Sequence, residues 1–260
     1  MKFFIKHARK IQLFLLLSCL TLSFLWYAFV NPSITPFVLS FLITIAFNLI
    51  GKFIVSFSAT KKCLRFQNSC DPTEYLDFIE TLYRRCPKNL LYTIDYCSML
   101  VISDSSNYQL AKNILENFDL TPFSKKIFYP IVASYYNNLC DVYMFLDEIE
   151  EAQKAYEKML AIFSTPEAKE GFKPHLFSTL ALTTAEIYIK KGDYENALIE
   201  IEKHETPDLF EAIKHALTLG KIYIATNETA KAKEQLEYVI ENGRKLSISK
   251  EASKLLEEIS

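Results

Sequence analysis

Two stretches near the start of the chain are almost unbroken hydrocarbon: IQLFLLLSCLTLSFLWYAFV (Ile11–Val30) and FVLSFLITIAFNLIGKFIVSF (Phe37–Phe57). A helix rises 1.5 Å per residue, so about 20 residues cross a hydrocarbon core of ~30 Å, and each run is long enough. Between them NPSITP (Asn31–Pro36) has room only for a tight reversal, with Pro32 and Pro36 breaking helix on either side. The pattern predicts a transmembrane hairpin in residues 1–57, with membrane contact through residues 11–57. Lys52 interrupts the second run near its end, where its stem can reach the headgroups. Past Asp71 the pattern changes. Apolar residues recur three and four apart, no long run alternates with period two, and prolines punctuate the segments at Pro87, Pro122, Pro166, Pro174 and Pro207. That is an all-helical body. Pro130, inside FSKKIFYPIVASYYNN, is expected to kink or split its helix. Residues 58–70 form a juxtamembrane linker, and residues 71–260 form the helical domain.

Charge sharpens this division. The first 70 residues hold eight Lys and Arg and no acid, which leaves 21 bases against 31 acids in the remainder. Basic residues flank both spans (Lys2, Lys6, Arg9 and Lys10 before the first, Lys61, Lys62 and Arg65 after the second), whereas the connecting turn is uncharged. By the positive-inside rule both flanks, and with them the helical domain, face the cytoplasm: two spans, N-in and C-in. Trp26 and Tyr27 then fall near the outer interface. LLSC (Leu16–Cys19) has the form of a lipidation box, but apolar residues continue well past Cys19, so a membrane-buried cysteine and an uncleaved span are the reading. Neither span carries an acidic residue, which favours an anchor over an ion path.

Three stretches of the body align on a central alanine: Val142–Leu160, Ile187–Glu205 and Ile222–Ile240. A tyrosine stands nine residues before the alanine (Tyr143, Tyr188, Tyr223). A turn residue stands five before it (Asp147, Gly192, Asn227), and a large apolar residue follows four after (Tyr156, Ile201, Leu236). The alanines Ala152, Ala197 and Ala232 are 45 and 35 residues apart, the longer interval containing STPEAKEGFKPH. A weaker copy precedes them, with Ile102, Ser106-Asn107-Tyr108, Ala111 and Leu115. One helical hairpin cannot bury its apolar face alone, so such copies must stack and share a core. The recurring residues are therefore packing residues first. LSISKEASKLLEEIS (Leu246–Ser260) reads as an amphipathic cap for the stack, with Leu255, Leu256 and Ile259 inward.

Helix–turn–helix copies at a period near 34 residues resemble the tetratricopeptide repeat (TPR). GDYENAL (Gly192–Leu198) is similar to that family's turn and second helix, and Leu219-Gly220 before Tyr223 matches its glycine for close helix packing. Departures exist: the family's early tryptophan is replaced by Tyr136, Ala181 and Ala216, and its closing proline is displaced. The resemblance spans roughly Leu91 to Arg244. It implies a TPR-like α-solenoid and a protein or peptide partner held in a concave groove lined by each copy's first helix. On those helices the residues pointing away from the second helix are Asn137, Asp141, Glu186, Lys190, Lys214 and Lys221. Lys214 and Lys221, two turns apart on one face, are expected to meet a carboxylate-bearing ligand, with Tyr135, Tyr136 and Phe145 adding apolar contacts.

Chemistry-bearing motifs are not part of the pattern. GxxxxGK[ST], GxGxxG, HExxH and GxSxG do not occur, and the four histidines are isolated in sequence. The six cysteines have no CxxC spacing and suit reduced thiols rather than a metal site. No cofactor, no metal and no enzymatic activity are expected, and the acidic body argues against nucleic acid. The expectation is a membrane-anchored, TPR-like adaptor binding protein partners at the cytoplasmic face. The alternative is an integral subunit of a larger membrane complex, whose hairpin packs on other spans through Ser18, Thr21, Ser23, Ser40 and Thr44.

Overall fold

The computed structural model describes residues 2–29 and 34–259, all helix and connecting turn, with no strand among them. Half of the expected reversal at Asn31–Pro36, residues 31–33, lies outside the described residues. The chain divides into two compact units, residues 1–63 and 64–260.

The first unit is built from helix α1, Lys2–Phe29, and most of helix α2, Thr35–Ser69. Between Leu13 and Phe57 the large apolar side chains point outward: Phe14, Leu22, Phe41 and Phe53 are each more than 60% exposed. The buried groups are instead polar. Ser23 and Ser40 are buried and hydrogen-bonded to each other; the hydroxyl that accepts in that bond has a carbonyl within reach for its own proton, Cys19 at 3.2 Å for Ser40 or Pro36 at 3.0 Å for Ser23. The Tyr27 and Phe37 rings meet edge-on, 6.1 Å apart. α2 is long and apolar enough to cross a membrane; in α1 the described apolar stretch, Leu16–Tyr27, is shorter.

The second unit takes in the end of α2 and eleven further helices: α3 Thr73–Arg85, α4 Leu90–Ser103, α5 Tyr108–Glu116, α6 Tyr129–Phe145, α7 Ile149–Phe163, α8 Pro166–Gly171, α9 Pro174–Lys190, α10 Tyr194–Ile201, α11 Leu209–Ala225, α12 Thr229–Gly243 and α13 Ser247–Glu258. The segment expected as a linker is thus helical through Ser69. Asp71 does not cap α3 by position, since Pro72 holds that place, but its carboxylate still accepts the Thr73 amide at 3.0 Å. Pro130 lies in the first turn of α6 and opens that helix rather than kinking it, because proline's missing N–H costs nothing there. The long interval between the first two copies is not a plain loop: it carries α8, capped by Thr165 onto the Ala168 amide.

The copies are α6–α7, α9–α10 and α11–α12, and their recurring residues do the same work in each. Asp147, Gly192 and Asn227 all take left-handed backbone, with φ of 61°, 75° and 62°. This twist turns the next amide back onto the carbonyl of the recurring tyrosine: Glu148 onto Tyr143 at 2.9 Å, Asp193 onto Tyr188 at 3.0 Å and Glu228 onto Tyr223 at 2.8 Å. These are the bonds that close a helix with a left-handed residue. The alanines are fully buried, as are Ile201 and Leu236, with Tyr156 nearly so. Gly220 faces Leu236 so closely that an added Cβ would stand 2.9 Å from its Cδ2. The earlier pair α4–α5 buries Ala111 and Leu115 equivalently but turns through a 3-10 segment, Ser105–Asn107, with Asp104 accepting the Ser106 amide.

The two ends of this unit meet. Arg244 donates to the Ser69 carbonyl at 3.3 Å, Lys245 pairs with Asp71 at 2.7 Å, and Phe66 packs on Phe210 with ring centroids 4.9 Å apart. α13 packs on α12, where Ser249 Oγ meets the Val239 carbonyl at 3.4 Å; its buried residues are Ser247, Ser249 and Ala252, while Leu255, Leu256 and Ile259 are only half-buried. The sequence had pointed to those three as the inward face. Small residues instead allow the close approach, with Gly243 against Ser249.

Candidate partner-binding face

The first helices of successive copies, α4, α6, α9 and α11, lie side by side, and residues three or four apart on each share one face. Across that face a side-chain hydrogen bond joins each helix to the next. Ser98 on α4 donates to Asn138 Oδ1 on α6. Thr183 on α9 donates to Asn137 Oδ1 on α6 at 2.5 Å, and Thr218 on α11 to Glu186 on α9 at 2.6 Å. Lys221 on α11 bridges Glu186 at 3.4 Å and Glu251 of α13 at 3.0 Å. Finally Ser247 of α13 donates to the Val101 carbonyl of α4 at 2.7 Å, so the belt returns to the helix where it began.

This belt decides what each residue expected from the sequence does. Asn137, Glu186 and Lys221 are engaged in contacts between helices. Lys190, at the end of α9, pairs with Asp147 of the preceding turn at 3.1 Å. Lys214 pairs with Glu211 one turn away at 2.8 Å and lies over the Phe210 ring, 5.1 Å from its centroid. The two lysines expected to await a carboxylate are therefore already paired, Lys214 with one and Lys221 with two. Asp141 differs: its carboxylate takes only the neutral Asn137 amide, at 3.2 Å. Asp141 is exposed by area. Even so, desolvation by the surrounding protein, with the Glu186 charge nearby, pushes its carboxyl up to about 7 despite Lys214 and Lys221. For Lys221, burial opposes the charge, but Glu186 and Glu251 outweigh it and hold the ammonium above its ordinary value.

A tetratricopeptide-repeat family model matches residues 133–164. The matched residues are the α6–α7 pair, the copy that carries Asn137 and Asp141. No curated protein and no solved structure matches the chain. The domain is TPR-like, and the other copies repeat the matched one in their turns, tyrosine carbonyls and buried alanines.

The aromatic residues expected at this face divide. Tyr135 is buried, its hydroxyl donating to the Leu115 carbonyl at 2.8 Å. Tyr136 is half-buried, and Phe145 is exposed but stacked on Tyr108 with centroids 3.6 Å apart. One grouping was invisible in the sequence. His204, after α10, and His215, on α11, point Nδ1 to Nδ1 at 3.4 Å, and His204 Nε2 meets Glu211 at 3.0 Å. Burial and the neighbouring His204 lower the His215 pKa. Burial opposes the charge of Glu211, yet Lys214 and His204 hold its carboxyl down to about 2. Of the cysteines, Cys70, Cys97 and Cys140 are free and buried, and burial raises the first two thiols to about 11 and about 12. Among the described residues no three His, Cys, Asp or Glu side chains are placed to hold a metal ion.

Proposed function

We propose that this chain is a non-enzymatic adaptor: residues 11–57 anchor it in a membrane as two spans, N-in and C-in, and its TPR-like domain collects a protein or peptide partner at the cytoplasmic face. The observation that carries the adaptor reading is the repeat itself, since stacked helical pairs present a continuous first-helix face that single domains lack. That face is read as a concave groove, with Asn137, Asp141, Glu186, Lys190, Lys214 and Lys221 along it. The anchor reading draws on the outward-facing apolar side chains of α1 and α2 and on the basic flanks. Anchoring raises the local concentration of the groove for membrane-associated partners, so modest affinity suffices.

The integral-subunit reading has less support. Ser23 and Ser40 satisfy each other inside the hairpin, while Thr21 and Thr44 bond back to the Leu17 and Ser40 carbonyls, both at about 2.9 Å or less. These groups are occupied at home rather than offered to other spans.

The test is crosslinking of the full chain in its native membrane beside a Thr179→Trp variant. Thr179 lies one turn before Thr183 on the same face, so an indole there blocks the groove without touching an ion pair. A partner captured by the wild type and lost by the variant supports the adaptor. A partner captured equally by both refutes the groove. Lys221→Glu is unsuitable, because it would set three carboxylates against one another and release α13.

A further inference from the structure

We propose that Asp141 makes this groove selective for a cationic side chain, so that the bound segment presents a lysine or arginine to it. The inference rests on reading the first-helix face as the partner groove and adds the chemistry of the partner.

The argument is the balance of charge along the face. Apart from the mutually paired Lys190 and Asp147, four carboxylates, those of Asp141, Glu186, Glu211 and Glu251, stand against two ammonium groups, those of Lys214 and Lys221. Both lysines are committed: Lys221 lies between Glu186 and Glu251, and Lys214 rests on Glu211 and the Phe210 ring. An incoming carboxylate would have to displace a tethered one, and would meet surplus negative charge in doing so. A cation meets the opposite situation. Asp141 is exposed, its hydrogen-bond partner is the neutral Asn137 amide, and the two lysines act on it only through space. Of the neighbouring polar groups, Thr183 and Thr218 are engaged in the belt, on Asn137 and Glu186, and the Tyr108 hydroxyl is neutral. What the face lacks is a donor of positive charge at Asp141. An ammonium or guanidinium placed there gains a charge-assisted hydrogen bond and relieves the crowding of like charge with Glu186. The ion pairs thus reverse the polarity expected from Lys214 and Lys221 in the sequence.

The experiment uses the full chain in detergent, immobilised, with four degenerate peptide libraries fixed at the central position as Lys, Arg, norleucine or Glu. Retention of the Lys and Arg libraries over norleucine, reduced about tenfold or more by Asp141→Asn, is the expected result. The preference should also weaken between pH 8 and pH 6 in the wild type and not in Asp141→Asn. Equal retention of Lys and norleucine, or unchanged retention in Asp141→Asn, overturns the selectivity; if Thr179→Trp still abolishes retention, the groove itself stands. Preference for the Glu library overturns the proposal in favour of Lys214 and Lys221. No retention of any library overturns it as well, leaving the adaptor reading to the membrane crosslinking. Thermal melts of each variant confirm that it is folded.

Discussion

At Asp147, Gly192 and Asn227 the three copies solve one steric problem with three residues, and only glycine does so without strain. A Cβ in left-handed backbone costs of order 1 kcal/mol, which Asn and Asp soften by local hydrogen bonding. Asp147→Gly and Asn227→Gly should therefore hold or raise the melting temperature, whereas Gly192→Val should lower stability by more than about 1 kcal/mol in a denaturant titration. Asp141 makes a sharper prediction. Its folded-state carboxyl titrates near 7, above its unfolded value, so its charge destabilises the fold increasingly as pH rises through that window. Asp141→Asn should melt higher than wild type at pH 8, and the difference should vanish near pH 4, where both are neutral. His215 works in the other direction: its lowered pKa means that stability is lost as pH falls below the unfolded value of 6.5. His215→Gln should remove part of that acid sensitivity in the same melts. The three turn residues were legible in sequence, but the surroundings of Asp141 and His215 were not. His204 and His215 are eleven residues apart across a turn, and the pairing of Lys221 needs α9 and α13 together.

Helices and their order were largely legible, because the tyrosine, turn residue, alanine and large apolar residue recur at fixed offsets and each offset has a packing reason. Ala197 and Ala232 are fully buried where second helices cross first ones, and Leu236 fills the space that Gly220 leaves. Ala197→Leu should cost about 1–3 kcal/mol through overpacking, and Leu236→Ala about 2–5 kcal/mol through the cavity it opens, both measured by urea unfolding. What sequence periodicity missed at this scale was the choice of face. In α13 Leu255 and Leu256, with Ile259 just after it, look like the buried stripe, yet Ser247, Ser249 and Ala252 pack and these large residues stay half-exposed, because a close helix approach favours small side chains. In α6, Pro130 reads as a break until the preceding 3-10 turn shows it at a helix start. The six residues chosen for the partner face do fall on first helices, but only Asp141 proved free of an ion pair or a contact between helices.

The molecule as a whole joins an apolar head to an acidic body whose repeat unit is closed end to end by Arg244, Lys245 and Ser247. That closure ties the first helices to the last, so loss of Ser247 and Lys245 together should raise hydrogen exchange in α4 and α13 more than in α9. Composition alone separated head from body, since no acid precedes Asp71 and the apolar runs are continuous; the side-chain contacts that close the body join residues up to 175 positions apart and leave no local signature. The central claim is that the body recruits a partner and the head only holds it at the membrane. The most direct measurement replaces residues 1–57 with an unrelated two-span anchor and repeats the native-membrane crosslinking. The same partner captured by the swapped chain, and still lost with Thr179→Trp, is the predicted result. Loss of the partner on swapping the anchor, with the repeat domain intact by melting, would contradict it and make the head the site of assembly.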